Sequence, residues 1–462
     1  MNFKRATWIL LAVFAALQIA LMPFIESNLD DPYYAVWAQR LDWSYFDHPP
    51  MIAWLARAMG GGIQGTRLAA LATLLITMIF MVKTMRVFKA SDKSVFYTLL
   101  AFSACPTVFV RNTMNPTPER PFLMFFAIAF YAFAKLYTTD NRKWWYAIGT
   151  AAGLACLSKY TGALIYLSLL VALVADRKLR EQWQHKELYL GAALSTVFLL
   201  PILVFNIRIE FAPFMLHLNR TETFGFKWYR ALSFFPEQLV VLTPLYFYLL
   251  IRALKRNWAN ARPMVWFFLP TMTFWSILAF RVMVGSTWAF SAYLPLFVLY
   301  ASTRQDKPTM LEKVALCLAV ISTIMYIYYK TNMRVEKNLD LSDKVWSLAA
   351  NRIAIEQDAL GKSWELASNS YGLVARIKLR LPEREVYSLT KHPDEFNQVW
   401  HRDINLQGKN FLYITPKGGS FADPIKRIDA REIKPYRTII VPYRGLKQYI
   451  ELYKIEGYES LK

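Results

Sequence analysis

Asp30-Asp31-Pro32-Tyr33-Tyr34, then Tyr45-Phe46-Asp47-His48-Pro49-Pro50, follow directly on an apolar run from Ala6 to Ile25. Three carboxylates and a histidine thus stand at the mouth of a candidate membrane span. Charge beside hydrocarbon is costly and persists mainly where it has a partner or a task. The surrounding chain is membrane-like. Of 462 residues, 55% are hydrophobic and 19% charged, and about eleven apolar runs are long enough to read as spans. They are 6–25, 67–88, 95–110, 121–138, 144–158, 160–175, 188–206, 231–252, 263–281, 287–301 and 312–330. Lys4 and Arg5 ahead of the first run resemble a signal-peptide start, but the run is long and no small-residue cleavage site closes it, so an uncleaved first span is expected.

The net charge is +21, from 54 Lys plus Arg against 33 Asp plus Glu. These cations cluster at the ends of apolar runs, as topology signals and anionic-lipid contacts do. No Gly-rich phosphate loop, zinc-finger spacing or RNP-like motif accompanies them, which argues against nucleic acid as a partner. Lys83/Arg86/Lys89/Lys93, Arg142/Lys143, Arg177/Lys178/Arg180/Lys186, Arg252/Lys255/Arg256/Arg262 and Arg304/Lys307/Lys313 occupy alternate loops. The positive-inside rule makes that side cytoplasmic. The first loop 26–66, the Arg111–Arg120 loop, Lys159, a loop over 206–230 and the tail then face outward. The three cysteines all lie in apolar runs, so structural disulfides are not expected.

Two domains are expected: a transmembrane catalytic domain over 1–330, and an extracytoplasmic α/β domain over 331–462. The tail is mixed polar, with strand-like runs at 385–389, 411–414 and 438–441 and helical patterns at 344–359 and 446–454. In the first loop, aromatic and charged residues over 31–42 and 50–59 suit short interfacial helices. Asp30 and Asp31 there have two readings, as site carboxylates or as caps of a helix opening at Pro32. Glu119, in Thr117-Pro118-Glu119-Arg120-Pro121, is placed as a helix-start carboxylate. Lys159 interrupts two apolar runs beside Tyr160 and Thr161. It reads either as a headgroup-seeking anchor or, being a lysine on the outer face, as an anion ligand. Arg208, His217, Arg220, Lys227 and Arg230 add outer-face cations. Cations opposite carboxylates suit a phosphate ligand and a hydroxyl or phosphate acceptor.

At these residues the chain resembles bacterial lipid-carrier-dependent glycosyltransferases of the GT-C superfamily, the relatives of protein O-mannosyltransferases and of the lipid A aminoarabinose transferase. The likeness runs through Asp-Asp-Pro-Tyr-Tyr and Tyr-Phe-Asp-His-Pro-Pro in the first loop. It continues through Thr117-Pro118-Glu119, Leu157-Ser158-Lys159-Tyr160-Thr161-Gly162 and Leu200-Pro201-Ile202-Leu203-Val204-Phe205-Asn206 to Ser286-Thr287-Trp288, covering roughly residues 1–300. It implies a helical polytopic GT-C fold and transfer of a sugar from a polyprenyl-phosphate donor to an envelope glycolipid, lipid A or lipopolysaccharide core, on the periplasmic face of the inner membrane. By position it implies catalytic roles for Asp30, Asp47 and Glu119. Substrate-binding roles fall to Asp31, Tyr34, His48, Arg111, Arg120, Lys159 and Tyr160. Asp31 in place of the usual Glu and Glu119 in place of Asp leave the sugar and the acceptor geometry open. Asp30 and Asp47 offer hard oxygen ligands that a divalent cation could share; no other cofactor is implied. Protein O-glycosylation with the same donor, and a transporter or flippase, are the competing readings. The absence of repeats and of mid-span charges weighs against the last.

Overall fold

The computed structural model describes residues 2–111, 116–223, 225–329, 343–391, 393–417, 423–443 and 445–461. The chain divides into two compact units. One holds Met1–Met22, His48–Ile52 and Arg67–Ile327. The other holds Pro23–Asp47, Ala53–Thr66 and Tyr328–Lys462.

The first unit is helical throughout, and each apolar run read from the sequence is occupied by a helix or a helix pair. Among the described residues, four helices are long and apolar enough to cross a membrane: Phe3–Phe24, Gly62–Val87, Glu119–Thr139 and Met310–Tyr328. Two further pairs reach that length only together. Lys186–Val197 with Leu200–Arg208 bends by 40°, and Trp228–Leu242 with Pro244–Arg256 bends by 95°. Both bends have chemical causes. Pro201 and Pro244 sit in the first turns of the second helices, where they lack the N–H that would extend the first. The stretch 206–230, expected as a loop, is instead mostly helical, through Leu200–Arg208 and Ala212–Thr223. The side chains of His217 and Arg220 lie outside the described residues.

Close helix contact in this unit rests on small residues. A methyl group added to Gly149 of Trp144–Ser158 would overlap the backbone carbonyl of Gly191 in Lys186–Val197, and Gly191 meets Trp145 O in the same way. Such backbone approach is open only to glycine.

The second unit joins the first loop to the tail. Its sheet runs in the order β2-β1-β3-β5-β4, where β1 is Trp364–Ser368, β2 Val386–Ser388, β3 Asn410–Pro416, β4 Ile428–Tyr443 and β5 Leu446–Leu461. β1 pairs in parallel with β2 and β3, and β5 runs antiparallel to β3 and β4. The helix Tyr371–Arg380 makes the crossover from β1 to β2. Ala367, Tyr387, Phe411, Tyr413 and Ile455 form a core on the sheet. The helix expected at 344–359 is present as Asp343–Leu360, whereas the one expected at 446–454 is part of β5. There, pairing with both β3 and β4 overrides the local helical spacing of Leu446, Ile450 and Tyr453. The first loop carries the short helices Asp30–Trp37 and Met51–Ala58.

Candidate active site

In the second unit, Asp30 opens the helix Asp30–Trp37. The side chain of Asn28 accepts from both Asp30 N (2.8 Å) and Asp31 N (3.0 Å). The Asp30 carboxylate is turned to a different partner: Tyr371 donates its hydroxyl to Oδ1 at 2.9 Å. Tyr33 donates to Asp47 Oδ2 at 2.6 Å, and the same phenol oxygen accepts from Glu395 N at 2.8 Å. Glu395 Oε2 in turn accepts from Phe46 N at 2.6 Å. Two first-loop carboxylates are therefore each held by a tyrosine, one from the tail and one from the loop itself.

Packing fixes these hydrogen bonds. The Tyr33 and Tyr371 rings lie 4.7 Å apart, and Trp37 stacks on Tyr45 at 4.3 Å. Arg376, fully buried on the Tyr371 helix, donates to Ser27 Oγ and to Asn28 O, both at 2.9 Å. Gly372 seats that helix against Leu29 so tightly that a Cβ would lie 2.7 Å from the leucine Cβ. Asp31 and Tyr34 are buried in the same helix.

This region is rich in buried acid. Asp394 accepts from Ser388 Oγ at 2.6 Å, and burial pushes its carboxyl up to about 7. Burial raises Glu395 well above the usual carboxylate range, and the Asp47 charge adds to the effect. Tyr33 and Tyr371 are both raised, mainly by burial and next by Asp47 and Asp30 respectively. The phenols therefore stay protonated as donors. Among the described residues no three His, Cys, Asp or Glu side chains converge as a metal cage.

In the first unit, the helix Trp144–Ser158 stops where Lys159 takes an extended conformation (φ −157°), and a short turn Tyr160–Gly162 begins. Gly162 packs on the end of the preceding helix, where a Cβ would overlap Ala155 and Cys156 backbone atoms. The break re-aims Lys159 inward. Its ammonium lies 2.5 Å from Glu119 Oε1 and 4.8 Å from the centre of the Trp288 ring, with 8% of the side chain exposed. A headgroup-seeking lysine would be largely exposed, so the anchor reading of Lys159 does not hold. Glu119 is the first residue of its helix, as expected.

Lys159 lines a cavity of about 550 Å³ with His48, Tyr160, Thr161, Trp288 and an apolar wall that includes Leu164, Leu167, Phe274 and Trp275. The Thr161 hydroxyl is buried without a hydrogen-bond partner. Arg120 is buried in the first turn of the Glu119 helix. The Arg111 side chain lies outside the described residues. A cation and an unpartnered hydroxyl beside a largely apolar wall can bind one oxyanion attached to a hydrocarbon chain.

Of the expected residues, Asp30, Asp31, Tyr34 and Asp47 belong to the loop-and-tail unit, and His48, Glu119, Arg120, Lys159 and Tyr160 to the helical unit. Tyr33, Tyr371, Asp394, Glu395 and Thr161 were not singled out from the sequence. Tyr33 and Thr161 sit inside the quoted motifs and were within reach. The three tail residues carry no local signal.

The model of the dolichyl-phosphate-mannose-protein mannosyltransferase family matches residues 47–205. A lipid A galacturonosyltransferase, RgtD, of Rhizobium johnstonii is 26% identical over 290 residues, and the match covers 58% of each chain. The chain thus spans a little over half the length of this curated relative. In fold, the molecule is similar to the crystal structure of ArnT from Cupriavidus metallidurans bound to undecaprenyl phosphate. The TM-score is 0.66 at 13% identity, over 96% of this chain and 98% of the other. The apo state of that protein gives a TM-score of 0.63 at 15% identity, over 97% and 98%. These comparisons run the same way as the resemblance first read in the N-terminal motifs: over residues 47–205 the chain is similar to that mannosyltransferase family, and its fold is similar to that of ArnT.

Proposed function

We propose that this protein is an integral-membrane glycosyltransferase. In this reading it moves a sugar from a polyprenyl phosphate to an envelope glycolipid, lipid A or lipopolysaccharide core, on the periplasmic face of the inner membrane. The observation that carries the reading is the Lys159 ammonium, fixed by Glu119 and Trp288 inside an apolar cavity that also holds the spare Thr161 hydroxyl. A lipid phosphate has the matching chemistry, an oxyanion on a long hydrocarbon. The alternating basic loops support the outer placement of the first loop and tail, with 1–330 as the membrane domain and 331–462 as the outer one.

The chemistry runs in one displacement. An acceptor oxygen forms a bond to the anomeric carbon as the bond from that carbon to the phosphate oxygen breaks. The electron pair leaves with the lipid phosphate, whose developing charge Lys159, Thr161, His48, Arg120 and Arg111 stabilise. A hydroxyl acceptor gives its proton to Asp30, and Asp47 holds the neighbouring geometry. Attack opposite the leaving group inverts the sugar carbon. By the family resemblance, Tyr160, Tyr34 and Asp31 are further substrate-binding residues.

The decisive experiment is transfer in detergent from a purified polyprenyl-phosphate sugar, paired with mass spectrometry of lipid A from cells with and without the gene. A mass shift equal to one sugar, lost with the gene, supports the reading. Sugar on protein instead, as the name of the matching family model would have it, would move the acceptor to protein. Activity only across two sealed compartments would select a transporter. Reporter fusions after Lys89, Arg180 and Lys462 should read inside, inside and outside; an inside reading at Lys462 overturns the topology.

A further inference from the structure

A second cavity in the helical unit, about 650 Å³, has the opposite chemistry to the Lys159 cavity. It is lined by Thr107, Glu237, Val241, Thr243, Ser286, Leu318, Ser322 and Tyr326, among others, and by no Lys, Arg or His among the described residues. Three buried or half-buried carboxylates elsewhere in this unit are matched. Glu119 pairs with Lys159, Glu312 with Arg304, and Asp176 accepts from Tyr137 and Trp266. Glu237 is half-buried on the bent helix pair and has no such partner among the described residues. Beside it the Thr243 hydroxyl is 94% buried and makes no hydrogen bond. Thr243 stands at the 95° bend with φ +67° and ψ 143°, a region that side-chain-bearing residues rarely adopt. Strain and an unmet carboxylate at a broken apolar helix mark a site more often than a scaffold.

The two cavities meet at one turn. Ser286 lines the carboxylate cavity and Trp288, two residues on, lines the Lys159 cavity. One therefore selects for an anion and the other against it. We infer that the Glu237 cavity binds a second amphiphile, one whose head group presents uncharged hydroxyls to Glu237, Thr243 and Ser322 and whose chains occupy the Leu318 wall. Read with the proposed transfer, on which its role but not its binding rests, this makes the acceptor a sugar hydroxyl and not a phosphate. Such an acceptor must lose a proton on reacting, which a phosphate would not.

The test uses the full-length protein in nanodiscs and an alkyl glucoside carrying a diazirine on its chain. Labelling should fall on peptides containing Val241, Leu318 or Tyr326. Unlabelled dodecyl glucoside should compete and dodecyl phosphate should not. Glu237→Leu should weaken labelling about tenfold, since a hydrogen bond to a charged group is lost. A second variant, Ser322→Trp, should fill the cavity and block labelling, with the melting temperature confirming the fold of both. Dodecyl phosphate competing equally, or labelling indifferent to both variants, would reduce the cavity to a groove for bulk lipid and overturn the inference. Where transfer is measurable, Glu237→Leu should raise the acceptor KM and leave the donor KM alone. Labelling does not depend on turnover, so a failed transferase reading and a failed site remain distinguishable.

Discussion

Lys159 and Glu119 neutralise one another across 2.5 Å, whereas Asp30 and Asp47 each accept from a tyrosine hydroxyl, at 2.9 and 2.6 Å. The difference is chemical. An ion pair cancels its own charge and becomes a fixed dipole that can orient an anion. A carboxylate held by a neutral donor keeps its charge and its lone pairs, and so can still take a proton. The first arrangement suits holding a leaving group, the second suits a base.

Breaking the ion pair should have the largest effect on stability. Lys159→Met strands the Glu119 carboxylate, which costs about 3–5 kcal/mol, so both the melting temperature and transfer should fall. Adding Glu119→Gln should restore the melting temperature but not transfer. If the double variant regains turnover, the pair is only structural.

Next in size is the tail's grip on the first loop. Tyr371→Phe leaves the ring packing intact and removes the hydroxyl from Asp30. A fall of about tenfold in kcat with an unchanged KM is expected, the worth of one hydrogen bond to a charged group. A change in KM alone would mean that Tyr371 lines a binding surface instead. Gly372→Ala should push the same helix off Leu29 and cost about 1–3 kcal/mol by overpacking, read as a lower melting temperature together with a lower kcat.

The last expected effect, and the most local, is a pH dependence confined to the loop-and-tail unit. Asp394 has a folded-state value of about 7, above its ordinary value near 3.8. The folded state therefore holds the proton longer than the unfolded one. Its contribution to stability is full below about 4, declines as pH rises towards 7 and is flat above. Hydrogen exchange of β2 and β3 should loosen over that window, and Asp394→Asn should flatten the profile. Loosening in the acid direction would reverse the sign and exclude Asp394 as the cause.

The helical half was legible because its signals are local. Apolar runs with basic ends, and Ser158-Lys159-Tyr160-Thr161-Gly162 as a break between two of them, are visible in a short window. The same holds for Asp30 and Asp47, which the family likeness points to directly. What supports them was not legible. Tyr371 lies 341 residues from Asp30 and Glu395 lies 362 from Tyr33, and nothing in either neighbourhood records that pairing. The capping alternative has a competitor that the sequence also holds: Asn28, two residues upstream of Asp30, is as good a cap as either aspartate and accepts from both of their N–H groups. Residues 446–454 read as a helix because Leu446, Ile450 and Tyr453 stand at helical spacing, and the buried positions of β5, Ile450, Leu452, Ile455 and Tyr458, depart from strict alternation. The register shift between Pro435 and Arg437 of β4, opposite Tyr453 and Leu452, falls where the buried face changes from Leu452 to Ile455.

The most direct test of the account is Asp30→Asn, measured as single-turnover transfer from a polyprenyl-phosphate sugar by protein of unchanged melting temperature. Because Asn28 caps the helix, the substitution should leave the fold intact. Because it removes the proposed base but keeps a hydrogen-bond acceptor for Tyr371, the rate should fall by about 100-fold or more. A rate within about twofold of the unmodified protein, a difference of less than 1 kcal/mol in the barrier, would contradict the assignment of Asp30 as the proton acceptor.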